Sequence, residues 1–226
     1  MKISVVIPAL NEAVRIEKTL SVVREQAPFE IIVVDGGSSD ETVRRALPLA
    51  TVIPSAPGRA TQMNRGARVA TGDVLLFLHA DTLLPPNGLR AVTEALGKPG
   101  FEAGAFRLAF DHWTPLLRLY SYCTRLSRPS LCFGDRGLFI LRAVYEEMGG
   151  FADIPLFEDL DMTRRLFARG TFRFLPLFVT TAARRFEQHG PFRQQLRNAY
   201  LWLHFLRGTD PHTLAHHYTY TDSDRQ

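Results

Sequence analysis

Val74–Asp81, Val-Leu-Leu-Phe-Leu-His-Ala-Asp, is an apolar run of strand length that ends abruptly in a carboxylate. Gly72-Asp73 precede it and Pro85-Pro86 follow, so turns bound it on both sides. A short continuous apolar run of this kind suits a strand buried on both faces, as in a parallel sheet under helices. Asp81 would then stand at the carboxyl end of a central strand, where open α/β sheets hold their ligands. In extended chain His79 and Asp81 share one side, because strand side chains alternate. Asp81 could equally cap the next turn, a common place for Asp.

The segments before this run alternate strand with helix. Lys2–Pro8 is rich in β-branched residues and reads as a first strand. Asn11 suits the N-cap of a helix over Glu12–Gln26, with Ile16, Leu20 and Val23 as its inward stripe. Glu30–Val34 is a second strand, closed by Asp35-Gly36-Gly37; Ser38 and Glu41 have capping-box spacing for a helix opening near Ser39. Thr51–Pro54 is a third strand, and Gly58-Arg59-Ala60 opens a helix to about Ala70. The second half gives a helix over Asn87–Leu96 and a weakly alternating strand at Phe101–Phe110. A helical period follows over Thr114–Leu126, then a short strand at Leu138–Leu141 and a helix over Arg142–Met148. A helix opening at Phe157-Glu158-Asp159 and ending at Gly170 precedes a last strand at Phe172–Thr180. Pro191–Leu206 is amphipathic, with Leu196, Tyr200, Leu203 and Leu206 on one face. The pattern predicts an α/β class: one Rossmann-like domain, a mostly parallel central sheet flanked by helices, and a C-terminal amphipathic helix. We expect a domain over residues 1–208, with a nucleotide-binding half 1–100, an acceptor half 101–190, a helix 191–208 and a loose polar tail 209–226.

Bulk composition narrows the class. The 226 residues are 46% hydrophobic and 22% charged, ordinary for a globular protein. Net charge is +4, carried almost wholly by arginine; the lysines are Lys2, Lys18 and Lys98. No dense basic patch with interleaved aromatics occurs, so no nucleic-acid partner is expected. Cys123 and Cys132 lack zinc-ligand spacing and read as reduced thiols. No apolar run is long enough for a bilayer, and the amino terminus enters a strand directly, so a cytoplasmic protein is expected.

Five motifs in order resemble the family 2 glycosyltransferases of the GT-A fold. They are Val5–Glu12, Val33–Thr42, Asn64-Arg65-Gly66, His79-Ala80-Asp81 and Glu158-Asp159. Gly134-Asp135-Arg136-Gly137 and the compact length also look like a bacterial subgroup labelled radical-SAM/selenodomain-associated transferases. The resemblance implies a nucleotide-diphospho-sugar donor, of UDP type, over the first four strands and a hydroxyl acceptor beyond them. Pro8, Ala9, Asn11 and Glu12 would lie against the nucleoside, and Asn64 and Ala80 near the donor. Asp35 resembles the carboxylate that reads the base; an acceptor-only group suits an imino N–H. Arg59, at a helix start, could meet the diphosphate, or be a solvated surface arginine.

The family's metal motif is Asp-x-Asp, and here its first member is His79. Asp81 matches the carboxylate that holds a divalent cation, Mn²⁺ or Mg²⁺. His79 is either a further ligand or a core histidine, and His189 is another candidate ligand. Glu158 and Asp159 resemble the acceptor-side pair, with Asp159 as general base; read alone, they are ordinary acidic first-turn residues. Asp135 and Arg136 fall where the family builds its acceptor floor.

The resemblance thus implies an inverting glycosyltransferase. A non-catalytic nucleotide-sugar-binding protein is the alternative, supported by His79 in place of a carboxylate. A sugar-nucleotide pyrophosphorylase would need a basic Gly-rich loop where Ala9-Leu10-Asn11-Glu12 stands, and a Rossmann dehydrogenase lacks its G-x-G-x-x-G. The tail helix is expected to pack on its own domain or a symmetry mate as a homodimer, and its arginine and aromatic content also suits peripheral membrane contact.

Overall fold

The structure is a computed structural model that describes residues 1–112, 114, 117, 118, 121, 122, 136–184 and 191–217. Cys123, Cys132, Asp135 and His189, and most of the helix expected over Thr114–Leu126, lie outside the described residues.

Eight strands form one sheet: β1 Ile3–Ala9, β2 Glu30–Asp35, β3 Thr51–Pro54, β4 Val74–Phe77, β5 Thr82–Leu83, β6 Ala103–Phe110, β7 Leu138–Leu141 and β8 Phe172–Thr181. Their order is β3-β2-β1-β4-β7-β6-β8-β5. The first four strands run parallel, β7 is antiparallel to both β4 and β6, and β6 and β8 are parallel. Six of the eight therefore point one way, which is the mostly parallel sheet expected. The two-residue β5, too short for any periodicity to show, pairs antiparallel with the end of β8.

Helices among the described residues include α1 Ile16–Arg24, α2 Thr42–Ala46, α3 Arg59–Val69, α4 Gly88–Leu96, α5 Arg142–Glu147, α6 Glu158–Ala168, α7 Pro191–Leu206 and α8 Pro211–His217. One core lies between α1, α4 and a sheet face carrying Val5, Ile7, Val33 and Leu76; Ile16, Leu20 and Val23 are fully buried there. The other packs α3, α5 and α6 on the face carrying Val6, Ile32, Val34 and Leu75. Every residue of β4 is buried, as the apolar run predicts. Gly66 lets α3 lie hard against the sheet: a Cβ there would run into Val6 Cγ1 and come within 2.9 Å of Val34 Cγ2.

Two capping expectations fail for one reason. Asn11 does not cap α1, which starts at Ile16; it takes a left-handed φ of 54° in the loop after β1. Its N–H donates to Ser38 Oγ (2.9 Å), and its Oδ1 accepts the Ser39 N–H (2.9 Å). Ser38 is thereby committed, and α2 opens at Thr42 instead of near Ser39, with Asp40 accepting the Thr42 N–H at 2.9 Å. Contacts between loops outcompete the local caps.

The tail also departs from expectation. Residues 211–217 are helical, not loose, and Leu214 is buried. On α7 the buried residues are Gln194 and Leu201, whereas Leu196, Tyr200 and Leu203 are 73%, 51% and 42% exposed. The stripe that the periodicity singles out faces away from the domain. Among the described residues no helix is long and apolar enough to cross a membrane.

Candidate active site

In-register parallel pairing brings strand ends to one rim. Ala9 pairs with Asp35 and Asp35 with Pro54, so β1, β2 and β3 finish level. Pro8 and Ala9 are the last residues of β1, and their side chains are buried in the fold rather than presented at the rim. Leu10, Asn11 and Glu12, all partly exposed, follow at the edge. Asp35 is 8% exposed; its carboxylate accepts the N–H groups of Gly37 (3.0 Å) and Ser38 (3.1 Å) and so shapes its own loop. Glu12 donates its N–H to Thr42 Oγ1 (2.7 Å) and lies 3.5 Å from Arg184, tying the first loop to the chain after β8. Asp40 holds the other side of this loop by accepting the Ala13 N–H at 3.1 Å. Burial pushes the Asp40 carboxyl up, but hydrogen bonds from Thr42 and Ala13 outweigh it and leave the group below its usual range.

β4 stops at Phe77, short of the Asp81 expected at its carboxyl end, and His79–Thr82 is a turn closed by Thr82 N–H donating to the His79 carbonyl (3.1 Å). His79 and Asp81 therefore sit in a turn, not in extended chain. Thr19 on α1 donates to the Ala80 carbonyl (2.8 Å), and Thr82 hydrogen-bonds Thr181 at the end of β8 (3.0 Å). The Ala80 side chain is 3% exposed and belongs to the core.

Residues 1–100 and the later chain meet at α3. Arg59 Nε lies 2.8 Å from Glu158 Oε1, with Glu158 1% exposed and Arg59 38% exposed. Thr61 donates to Asp153 at 3.3 Å. Asn64, expected at the donor, commits both ends of its amide to the chain: Nδ2 donates to the Phe151 carbonyl (2.9 Å), and Oδ1 accepts from the Phe151 N–H (2.9 Å) and the Tyr145 hydroxyl (2.5 Å). Burial pushes the Tyr145 hydroxyl far above the usual phenol range. Glu158 is thus a buried ion-pair partner. Arg136 is 4% exposed and its guanidinium stacks 5.2 Å from the Phe174 ring centroid.

Asp159 follows Glu158 in the first turn of α6 and remains 20% exposed; its Oδ2 lies 4.0 Å from His79 Nε2. The start of α6 thus lies beside the turn after β4. The residue before it, Phe157, has φ 66° and ψ 22°, the left-handed region, and its carbonyl accepts the Asp161 N–H that begins the helix (2.9 Å). A bulky residue held there costs about 1–3 kcal/mol. The cost is offset by packing: the Phe157 ring lies 4.8 Å from that of Phe205 on α7, against a small cluster of Leu156, Leu201 and Leu214.

Sequence reasoning missed Gln62 and Arg165. Gln62, 3% exposed, donates through Nε2 to the carbonyls of Ala9 (2.9 Å) and Val34 (2.7 Å), closing the ends of β1 and β2. Arg165 bonds Asp161 (2.9 Å) and the carbonyls of Met148 (3.0 Å) and Gly150 (2.7 Å). A glutamine three residues into a helix and one arginine among many give no local signal.

As a metal site, the rim offers carboxylates at a turn rather than an enclosed cage. Among the described residues no group of three or more His, Cys, Asp or Glu is arranged to hold a metal ion.

Four parallel strands in the order β3-β2-β1-β4, with Asp35 and the His79–Asp81 turn on their carboxyl rim, define an α/β protein of GT-A layout. The chain belongs to glycosyl transferase family 2, whose sequence pattern matches residues 4–152. It is 30% identical to the probable glycosyltransferase YdaM of Bacillus subtilis over 91% of this chain and 57% of that protein. It is 32% identical to dolichol-phosphate mannosyltransferase of Pyrococcus furiosus over 42% of this chain and 30% of that protein. The chain thus spans about half or less of these relatives. Glucosyl-3-phosphoglycerate synthase of Mycobacterium tuberculosis, solved with Mn²⁺, UDP-glucose and phosphoglyceric acid, superposes with TM-score 0.59 over 78% of this chain and 70% of that one at 21% identity. Staphylococcus aureus TarS residues 1–349 give 0.64 over 80% and 60% at 17% identity.

Proposed function

We propose that the chain is an inverting glycosyltransferase that moves a sugar from a UDP-type nucleotide-diphospho-sugar to a hydroxyl acceptor. The observation that carries this reading is the convergence of Asp159 on the turn of His79 and Asp81, with 4.0 Å between Asp159 Oδ2 and His79 Nε2. Two residues far apart in sequence meet at the rim that also bears Asp35. The UDP-glucose and Mn²⁺ bound by the glucosyl-3-phosphoglycerate synthase of like fold support the donor class.

In this reading Asp35 accepts from the base, Asn11 and Glu12 flank the nucleoside, and Arg59 faces the diphosphate. Asp81 would hold a divalent cation, Mn²⁺ or Mg²⁺, which when bound supplies positive charge against the leaving diphosphate. Asp159 takes the acceptor hydroxyl proton as the new bond to the anomeric carbon forms and the bond to the diphosphate oxygen breaks. The start of α6 favours its ionised form. Attack from the side opposite the nucleotide inverts the anomeric centre. Arg136 supports the acceptor side as a buried cation, and the Gly134–Gly137 motif supports the narrower bacterial subgroup.

Release of UDP from UDP-glucose in the presence of Mn²⁺, with a panel of hydroxyl acceptors, tests the proposal. Asp159→Asn should lower turnover by about a hundred- to ten-thousand-fold while calorimetry shows UDP still bound. Turnover at the parental rate would remove Asp159 as base. The non-catalytic reading is favoured by His79 where the family has a carboxylate; UDP binding that is indifferent to Mn²⁺, with no turnover of any donor, would establish it.

A further inference from the structure

We propose that Phe205 and Phe157 are positioning residues, through which the C-terminal helices α7 and α8 hold Asp159 in its working place; this rests on the reading of Asp159 as base. Three observations combine. Phe157 adopts φ 66° one residue before Glu158 and two before Asp159. Its side chain gives the backbone no intrinsic reason to be there, since the left-handed region favours glycine. Its ring meets Phe205 at 4.8 Å, and Leu156 beside it packs with Leu201 of α7 and Leu214 of α8 in a cluster separate from the two cores over the sheet.

The consequence is mechanical. The body of α6 is anchored by Leu160, Met162 and Leu166, all fully buried, and by Arg165. Its first turn is set by the conformation of Phe157, whose carbonyl receives the Asp161 N–H. If Phe157 relaxes to an ordinary extended conformation, the chain enters α6 from another direction and the Asp159 carboxylate leaves its 4.0 Å approach to His79. The C-terminal pair is therefore part of the catalytic apparatus although it supplies no group to the reaction.

Phe205→Ala, Phe205→Leu, Phe157→Gly and the Phe157→Gly/Phe205→Ala double variant test this in the full chain. Hydrogen exchange at the Asp161 amide reads the first turn directly and needs no activity. Phe205→Ala should speed it about tenfold, the upper end of what one aromatic pair contributes, with amides of β1 unchanged. Phe205→Leu keeps apolar bulk without the ring and should restore only part of the protection. In the UDP-release assay Phe205→Ala should lower kcat by a similar factor and leave the KM for UDP-glucose within about twofold. Glycine accepts the left-handed region unaided, so Phe205→Ala should have no further effect in the Phe157→Gly background. Unchanged exchange at Asp161 in Phe205→Ala overturns the proposal, as does an equal effect of Phe205→Ala in both backgrounds. Faster exchange with unchanged kcat overturns the positioning role. A parental protein that turns over no donor defeats the glycosyltransferase reading and with it the role of Asp159, whereas the exchange data then still decide whether the clamp exists.

Discussion

Arg59→Ala should destabilise the protein more than Glu158→Gln, and the two changes should not add. Glu158 is 1% exposed and Arg59 Nε lies 2.8 Å from its Oε1. At that separation and an effective dielectric of 20, the attraction is about 6 kcal/mol. Desolvation of the carboxylate cancels part of it, and the 38% exposure of the guanidinium admits screening water. Truncating the arginine leaves a buried carboxylate without this partner, so we expect a loss of about 2–4 kcal/mol in urea unfolding followed by far-ultraviolet circular dichroism at neutral pH. Glu158→Gln keeps the shape and removes the charge, so its cost should be about 1–2 kcal/mol. In the double variant no charge is stranded, and the total should fall short of the sum by at least about 1.5 kcal/mol. Additivity within about 0.5 kcal/mol would refute the argument, because the pair would then act as two independent surface groups.

Gly66→Ala should cost about 1–3 kcal/mol, because its Cβ must displace Val6 and Val34 side chains that are fully buried; the urea midpoint measures it, and an unchanged midpoint would mean that α3 can shift freely. Burial pushes the Glu30 carboxyl up, but hydrogen bonds from Ser4 and Thr71 prevail and hold it below its usual range. A depressed pKa gives stability that is present above the unfolded value, about 4.3, and is lost as pH falls through the folded value. Melting temperatures of the parent and Glu30→Gln should therefore differ at neutral pH and converge on acidification, and a constant gap would show that the carboxylate charge contributes nothing.

The sequence reported the sheet well where periodicity is strong. The unbroken apolar run of β4 and the stripe of Ile16, Leu20 and Val23 both point inward, because burial alone determines them. The motif order also led to one expected site for His79, Asp81 and Asp159, and Asp159 Oδ2 lies 4.0 Å from His79 Nε2. What stayed hidden depends on partners distant in the chain. Asn11 looks like a cap from its neighbours, yet its partners Ser38 and Ser39 are 27 and 28 residues away. Asn64 looks like a ligand contact until Tyr145 and Phe151 reach it from 81 and 87 residues away. On α7 both sides are apolar enough to pack, and the docking of Leu201 against Leu156, rather than periodicity, selects the inward one.

Gln62 leaves one lasting mark on recognition. By occupying the carbonyls of Ala9 and Val34, it removes two main-chain acceptors from the floor between β1 and β2. Under the proposed reading, a nucleobase seated there would need a side chain for its own N–H, and the Asp35 carboxylate, with room for about four hydrogen bonds, could receive it after serving Gly37 and Ser38. On that reading the Gln62 amide would leave Asp35 as the group that meets the base.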